Sequence, residues 1–394
     1  MTIRDIEVIN LCFEYPPERG FRYAGGTCTG RLTTLVKVRT DDGVEGLGSV
    51  YSHPDLVRTI IEGQLRPLLV GADPLEIEAC WQRCYALTRW YGRKGAAVSA
   101  LGGIDIALWD IRGKVEGRRI CDLIGPARAA IPAYASGLLW KGEIGELRDE
   151  AQRHLEHGFH AVKMRLGKDP EYDRAALSAV RDTIGTDARL MVDGNARYSL
   201  GEALRMAPAW LAAGVFWLEE PFAPEQPEAF RALRPSIPGI PLAAGENEFG
   251  RQGFKELIDG GVVEIAQPDC CRCGGLTEAL RIASDAAERD VKIAPHTWSD
   301  AVALTANMHV VAATPHALTV EVDQTGNPFI EELLVGGPRV TEGQLELPLG
   351  PGLGIELNQD TIRKYTVPRG KPTPPGNYSD MVFQDLPYQW ELSV

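Results

Sequence analysis

The run LMVDGN at residues 190–195 decides the fold: apolar residues, then an acid, then a turn. It suits one buried strand and is too short for a helix. Comparable runs flank it: AVKMR (161–165), VFWLEEP (215–221), PLAAGE (241–246), EIAQPD (264–269), KIAPH (292–296) and LTVEVD (318–323). Each carries a polar residue near its end, giving the series Lys163, Asp193, Glu219, Glu246, Asp269, His296 and Glu321, with neighbours 23 to 30 residues apart. One strand plus one helix takes about 30 residues, so the spacing predicts one polar residue at the carboxyl end of each strand of a parallel barrel. IPAYASG (131–137) supplies the first strand. Between the runs lie stretches such as DPEYDRAALSAVRDTIG (169–185) and LTEALRIASDAAERD (276–290), whose acidic starts and three-to-four apolar spacing predict the outer helices.

The barrel uses only part of the 394 residues, so a second folding unit is expected. Residues 3–13 and 31–50 alternate apolar and polar around TDDGVEG, which predicts a small antiparallel sheet. AAVSALGGIDIALWDIRGKVEG (96–117) then reads as a long apolar helix. The predicted class is α/β: a (β/α)7β-type modified TIM barrel over 129–335, with an α+β capping domain over 1–128. Residues 336–394, rich in Gly and Pro at first, are expected to pack on the capping domain.

The net charge of −13, with no basic block, argues against nucleic acid or an anionic membrane as partner. No signal-peptide core and no run of about 18 apolar residues occurs, so a cytoplasmic protein is expected. The eight cysteines fit reduced thiols. Cys270 and Cys273 have zinc-knuckle spacing but no second pair, so zinc is set aside and the cysteines near Cys271 read as small buried residues.

Asp193, Glu219 and Glu246, converging on one barrel mouth, would repel unless a divalent ion sat between them; an all-oxygen set indicates Mg2+. A lone Asp or Glu is usually a solvated loop residue, but three at matched strand positions are not. Strand alternation turns Glu220 to the opposite face from Glu219, so it reads as a residue behind the ligands or facing the helices, and not as the third ligand. It places Lys163 and Arg165 inside the barrel and Met164 outside. Arg165 is a poor general base; Lys163, crowded by another cation, is the better candidate on that face. Asp269 precedes His296 by one strand and is positioned to orient its imidazole. His154, His157, His160 and His309 read as structural. Glu321 is expected to hydrogen-bond a developing oxyanion if a neighbouring carboxylate keeps it protonated.

The motifs VDGN, WLEEP, GEN, QPD, PH and VEVD, with ALWDIRGKVEGRRICDLIG at 107–125, make the chain resemble the mandelate racemase subgroup of the enolase superfamily, in which acid sugar dehydratases are numerous. The resemblance implies Mg2+ on Asp193, Glu219 and Glu246, a general base or acid in His296 with Asp269, and Glu321 holding the substrate carboxylate. Lys163 and Arg165 match the family's Lys-x-Lys motif with one departure, because the second lysine, the usual base on that face, is Arg165 here. A racemase needs a base on each face of the carbon, so the departure favours dehydration of an aldonic or aldaric acid to a 2-keto-3-deoxy acid, with His296 taking the C2 proton. An epimerase, a non-catalytic acid-sugar-binding protein and a metal-assisted hydrolase are the competing readings. Sugar contacts are expected from Asn195 and from two capping loops, PPERGFRYAGG (16–26) with Arg22 and Tyr23, and the segment around Tyr51 and His53. L-fuconate and L-lyxonate type acids are the substrates suggested by analogy, and a homo-tetramer or octamer is the assembly.

Overall fold

In the computed structural model, which describes residues 1–374 and 381–384, the chain opens with β1 (Ile3–Glu14), β2 (Phe21–Tyr23), β3 (Gly26–Thr40) and β4 (Glu45–Val50). β3 pairs antiparallel with all three others, with Val8 opposite Val36 and Thr34 opposite Val50. The reversal between β3 and β4 runs through Gly43 at φ +91°, which a side chain would resist. The apolar helix Ala96–Glu116 lies against β4, closely enough that a Cβ on Gly48 would come within 2.0 Å of the Gly103 carbonyl oxygen. Small residues at this contact let helix and sheet backbones meet.

Eight parallel strands follow: β5 (Ala130–Ser136), β6 (Ala161–Arg165), β7 (Arg189–Asp193), β8 (Trp217–Glu219), β9 (Leu242–Ala244), β10 (Ile265–Ala266), β11 (Lys292–Ile293) and β12 (Val320–Asp323). They pair in sequence order through β11, and β12 pairs with β5. The ring closes where the Leu318 N–H donates to the Ile293 carbonyl at 2.7 Å. Alternation splits the side chains into two sets. Val162, Met164, Leu190, Val192 and Leu218 pack outward with helix residues such as Leu177, Val180 and Trp210. Tyr134, Met191, Trp217, Ala243, Ile265 and Ala294 fill the interior beneath the mouth, so the barrel is a packed core and not a pore.

Past residue 335 the chain divides its contacts. β13 (Val340–Thr341) and β14 (Gln344–Glu346) form a hairpin whose second strand adds to β5, extending the barrel sheet instead of covering the amino-terminal lobe. Later the Thr373 hydroxyl donates to Asp55 at 2.9 Å, and β15 (Met381–Phe383) joins β3. The rest of the tail lies outside the described residues.

The two units are joined through the loops that carry the barrel's polar residues. Arg31 on β3 pairs with Asp323 at 2.8 Å, and Ser49 on β4 donates to Asp300 at 2.6 Å. The Tyr51 N–H donates to the Cys271 carbonyl at 3.0 Å, and the Trp81 indole N–H to the Gly274 carbonyl at 2.8 Å. Among the described residues no helix is long and apolar enough to cross a membrane.

Candidate active site

The strand series does converge. Lys163 and Arg165 lie on β6, Asp193 and Glu219 end β7 and β8, and Glu321 lies within β12. In-register pairing sets Arg165 beside Asp193, and Asp193 beside Glu219. Glu246, Asp269 and His296 sit two or three residues past shorter strands, so on that side of the mouth short loops carry the chemistry. All lie under or beside a cavity of about 920 Å³ between the barrel mouth and the capping unit, whose walls include Arg165, Asn195, Glu246 and His296.

Asp193, Glu219 and Glu246 each present a ligand atom within 4.8 Å of the others'. Asp193 and Glu219 are fully buried, and Glu246 Oε2 is buried with no hydrogen-bond partner. Buried carboxylate oxygens this close fit a hard divalent cation such as Mg2+, and the unsatisfied oxygen is what such an ion would use. The free cysteines are elsewhere: Cys270, Cys271 and Cys273 are buried, and burial holds their thiols well above the usual range, as inert packing residues require.

One wall of the mouth is cationic. Lys163 Nζ lies 2.5 Å from Glu219, 2.8 Å from Glu321 and 3.7 Å from Asp193. Burial works to discharge this ammonium, but Glu219, Glu321 and Asp193 outweigh both burial and the repulsion of Arg165, so its pKa rises. Crowding by Arg165 does not by itself free a Lys163 base, because three carboxylates face it; two of them, Asp193 and Glu219, are the ones a cation would neutralise. Arg165 reaches Asp193 at 3.2 Å and Glu321 at 3.7 Å, and its guanidinium rests 4.9 Å from the Trp298 ring centre. It too is pushed upward and stays charged, carboxylates again outweighing burial. Glu321 also departs from expectation. Burial alone would raise its acid, but Lys163, His296 and Arg165 pull it far below the usual range; it accepts from the Thr297 N–H at 3.0 Å and acts as a carboxylate, not as a proton donor.

The opposite wall carries His296. Its Nδ1 is 3.0 Å from Asp269 Oδ2, and Asn307 fixes the pair by donating to Asp269 Oδ1, to the His296 carbonyl and to the Thr297 hydroxyl. With Nδ1–H donated to Asp269, Nε2 is left facing Glu246 Oε2 at 3.5 Å. Burial lowers the imidazole's proton affinity, while Glu246, Asp269 and Glu321 raise it further, to about 9. Glu246 leads those upward pushes and belongs to the metal-competent set, so a cation held there would offset the negative charge that most disfavours a neutral imidazole.

Tyr23, Tyr51 and Asn195 line the cavity as expected. Asn195, at φ +41°, donates its side chain to Asp193 at 3.2 Å and leaves Oδ1 buried without a partner. Arg22 does not line it. Alternation along β2 buries Phe21 and Tyr23 and turns Arg22 outward into a separate cleft. Glu220 takes one of its two expected places, behind the metal-competent carboxylates: its backbone turns left-handed at φ +32°, which breaks the alternation, and the side chain is buried, accepting from Asn247 at 2.8 Å. Burial, then Glu246 and Asp193, drive its acid well above the usual range, so it faces the carboxylate cluster and not the helices. Trp298, Asn307 and Arg272 were not singled out by the sequence; for Asn307, its place inside an apolar helix was the available signal.

Comparisons with known proteins identify the family of this fold. Residues 6–125 match the family described as mandelate racemase / muconate lactonizing enzyme, N-terminal domain, and residues 146–361 match enolase C-terminal domain-like. The chain is 37% identical to D-galactarolactone cycloisomerase of Agrobacterium fabrum over 86% of its own length and 92% of that protein's. It is 30% identical to arabinonate dehydratase of Saccharolobus solfataricus, over 92% and 99% respectively. The crystal structure of a racemase from Streptomyces coelicolor with bound magnesium superposes with a TM-score of 0.86 at 27% identity, covering 93% of this chain and all of that one. The chain belongs to the enolase superfamily, with the capping domain and the barrel of its mandelate racemase branch.

Proposed function

We propose that this enzyme is a Mg2+-dependent acid sugar dehydratase that converts an aldonic or aldaric acid to its 2-keto-3-deoxy acid. The observation that carries the reading is the asymmetry of the mouth. The His296 wall offers an imidazole oriented by Asp269, and the facing wall offers Lys163, packed among three carboxylates, and Arg165, whose guanidinium is a poor base.

Mg2+ bound by Asp193, Glu219 and Glu246 would supply positive charge that acidifies the proton beside the substrate carboxylate and favours the enediolate. His296 Nε2 takes that C2 proton. The electron pair moves onto the carboxylate, then returns to form the C2=C3 double bond as the C3 oxygen leaves. His296 passes its proton to the departing hydroxyl, which leaves as water. The enol loses its hydroxyl proton and gains one at C3, giving the ketone. Lys163 and Arg165 balance charge on the facing wall, and Glu321, held as a carboxylate, orients Lys163 and the Thr297 amide.

A second reading is favoured by the 37% identity to a cycloisomerase. There the leaving oxygen belongs to a lactone or ether ring and is retained, so the product is an isomer of the substrate. The proton-abstracting half is the same. The test is a panel of sugar acids and their lactones with Mg2+, followed by carbonyl derivatisation and mass spectrometry. A keto acid lighter by one water supports dehydration, and an isomeric keto acid supports ring opening. Exchange at C2 without elimination would overturn both.

A further inference from the structure

The cations that line or adjoin the cavity differ in how they are neutralised. Lys163 and Arg165 are flanked by the carboxylates of the mouth. Lys94, at the rim, pairs with Glu248 at 2.7 Å. Among the described residues Arg272 has no carboxylate within ion-pair distance. It follows Asp269 by three residues, in the short helix Cys270–Cys273, and lines the same cavity. Its guanidinium lies 4.9 Å from the ring centres of both Tyr51 and Phe249. Its Nη2 donates to Asn247 Oδ1 at 3.0 Å, and its Nε is buried with no hydrogen-bond partner.

Two aromatic faces and an amide hold this guanidinium in place without cancelling its charge. Cation–π contact fixes position but leaves the in-plane N–H groups to seek an acceptor. An unneutralised arginine, preset in geometry and partly withdrawn from water, favours a planar anion that takes two parallel hydrogen bonds, as a carboxylate does. Its place in the site is fixed by the Tyr51 ring, which also stacks on the His296 imidazole at 5.3 Å and 25°. The guanidinium is thus no farther than two ring spacings, 5.3 and 4.9 Å, from the base that takes the C2 proton, within the reach of a six-carbon acid from its reacting end to its far end.

We infer that Arg272 is a specificity-determining residue that binds a second, distal carboxylate, so that the substrate class is an aldaric diacid or its monolactone and not an aldonic monoacid. This rests on the elimination reading for the reacting end. It departs from the monoacids suggested by the resemblance, because a monoacid presents only hydroxyls at its far end and leaves the arginine's charge unanswered.

The experiment pairs hexaric acids with hexonic acids of matching configuration, with Mg2+, on wild type, Arg272→Gln and Arg272→Lys. Turnover and calorimetric binding are both read. A charge-assisted pair of this kind corresponds to about 10- to 100-fold. Wild type is expected to prefer the diacid by that factor in kcat/KM. Arg272→Gln is expected to erase the preference, chiefly through KM, and Arg272→Lys to restore part of it. Equal use of both acids by wild type, or equal losses on both in Arg272→Gln, would overturn the inference while leaving elimination intact. Diacid binding that depends on Arg272 without turnover of either acid would uphold the subsite and overturn the elimination reading. If wild type binds neither acid, the diacid assignment falls.

Discussion

The two walls of the barrel mouth are built from the same materials, buried charges on strand ends and loops, yet they carry groups of different acid–base chemistry. On the β6 wall, Lys163 and Arg165 are set among Asp193, Glu219 and Glu321, and these carboxylates push both upward against burial. On the facing wall His296 is also buried among carboxylates, and its ring is oriented by one hydrogen bond to Asp269. Burial is common to both walls. What differs is the group itself: an imidazole oriented by a hydrogen-bonded carboxylate on one wall, an ammonium and a guanidinium on the other, the last a poor base at any working pH.

His296→Asn gives the sharpest break of the comparison. Removing the general base should lower kcat by about 10³-fold, within the range for acid–base groups, while Mg2+ binding by calorimetry stays close to wild type. Retention of turnover within tenfold would shift the chemistry to the other wall. Lys163→Met comes next. It strips Glu219 and Glu321 of a buried partner and should reduce kcat/KM by about 10²-fold, at roughly 2 to 3 kcal/mol for a broken charged contact. A smaller loss with weaker Mg2+ binding would mean that Lys163 serves the metal set more than the substrate.

Arg165→Lys tests the departure from the family motif directly. It keeps the charge and loses the guanidinium's seat over Trp298, so a drop of about tenfold is expected from loss of one cation–π contact and one fork geometry. If the lysine instead becomes a base, recovered substrate in D2O will carry deuterium at C2, and the facing wall will have been one substitution from two-base chemistry.

His309 sharpens the comparison from outside the site. It is as buried as His296, but no carboxylate touches it: Nδ1 accepts from the Cys121 N–H at 3.3 Å and Nε2 donates to the Leu353 carbonyl at 3.2 Å. Burial therefore dominates and lowers it to about 4, where His296 rises to about 9. Because the folded value lies below the ordinary one, its contribution to stability is complete above pH 6.5 and is lost as pH falls toward 4. The amount is on the order of 3 kcal/mol at 1.36 kcal/mol per pH unit. Denaturant titrations from pH 7 to 4 should show this slope in wild type and a shallower one in His309→Gln, with kcat at pH 7 nearly unchanged. Equal slopes would mean that His309 is already charged when folded.

Much of this was legible in the chain. The polar residues of the barrel mouth each interrupt an apolar run, and a parallel barrel forces such residues to one end, so Lys163, Asp193, Glu219, Glu246, Asp269, His296 and Glu321 were found together by spacing alone. Three features were not legible because they arise from backbone turns or from distant partners. Glu220 follows Glu219 where alternation says outward, but a left-handed residue ends the strand at that point. Arg22 sits in a three-residue strand whose phase cannot be read from a loop-like sequence. The charge states of Lys163 and Glu321 depend on each other across the barrel, from residues 158 positions apart, and no local pattern encodes that. Arg272 is the extreme case, since its meaning lies in the carboxylate it lacks.

The central claim is that the proton is removed from one face only. The most direct measurement is turnover of the active sugar acid by wild type in D2O, with recovered substrate and product both analysed by NMR. One-faced chemistry predicts deuterium at C3 of the keto acid and no C2-inverted substrate. Deuterium in a C2-inverted epimer would contradict it, because that product requires a working base on the wall of Lys163 and Arg165.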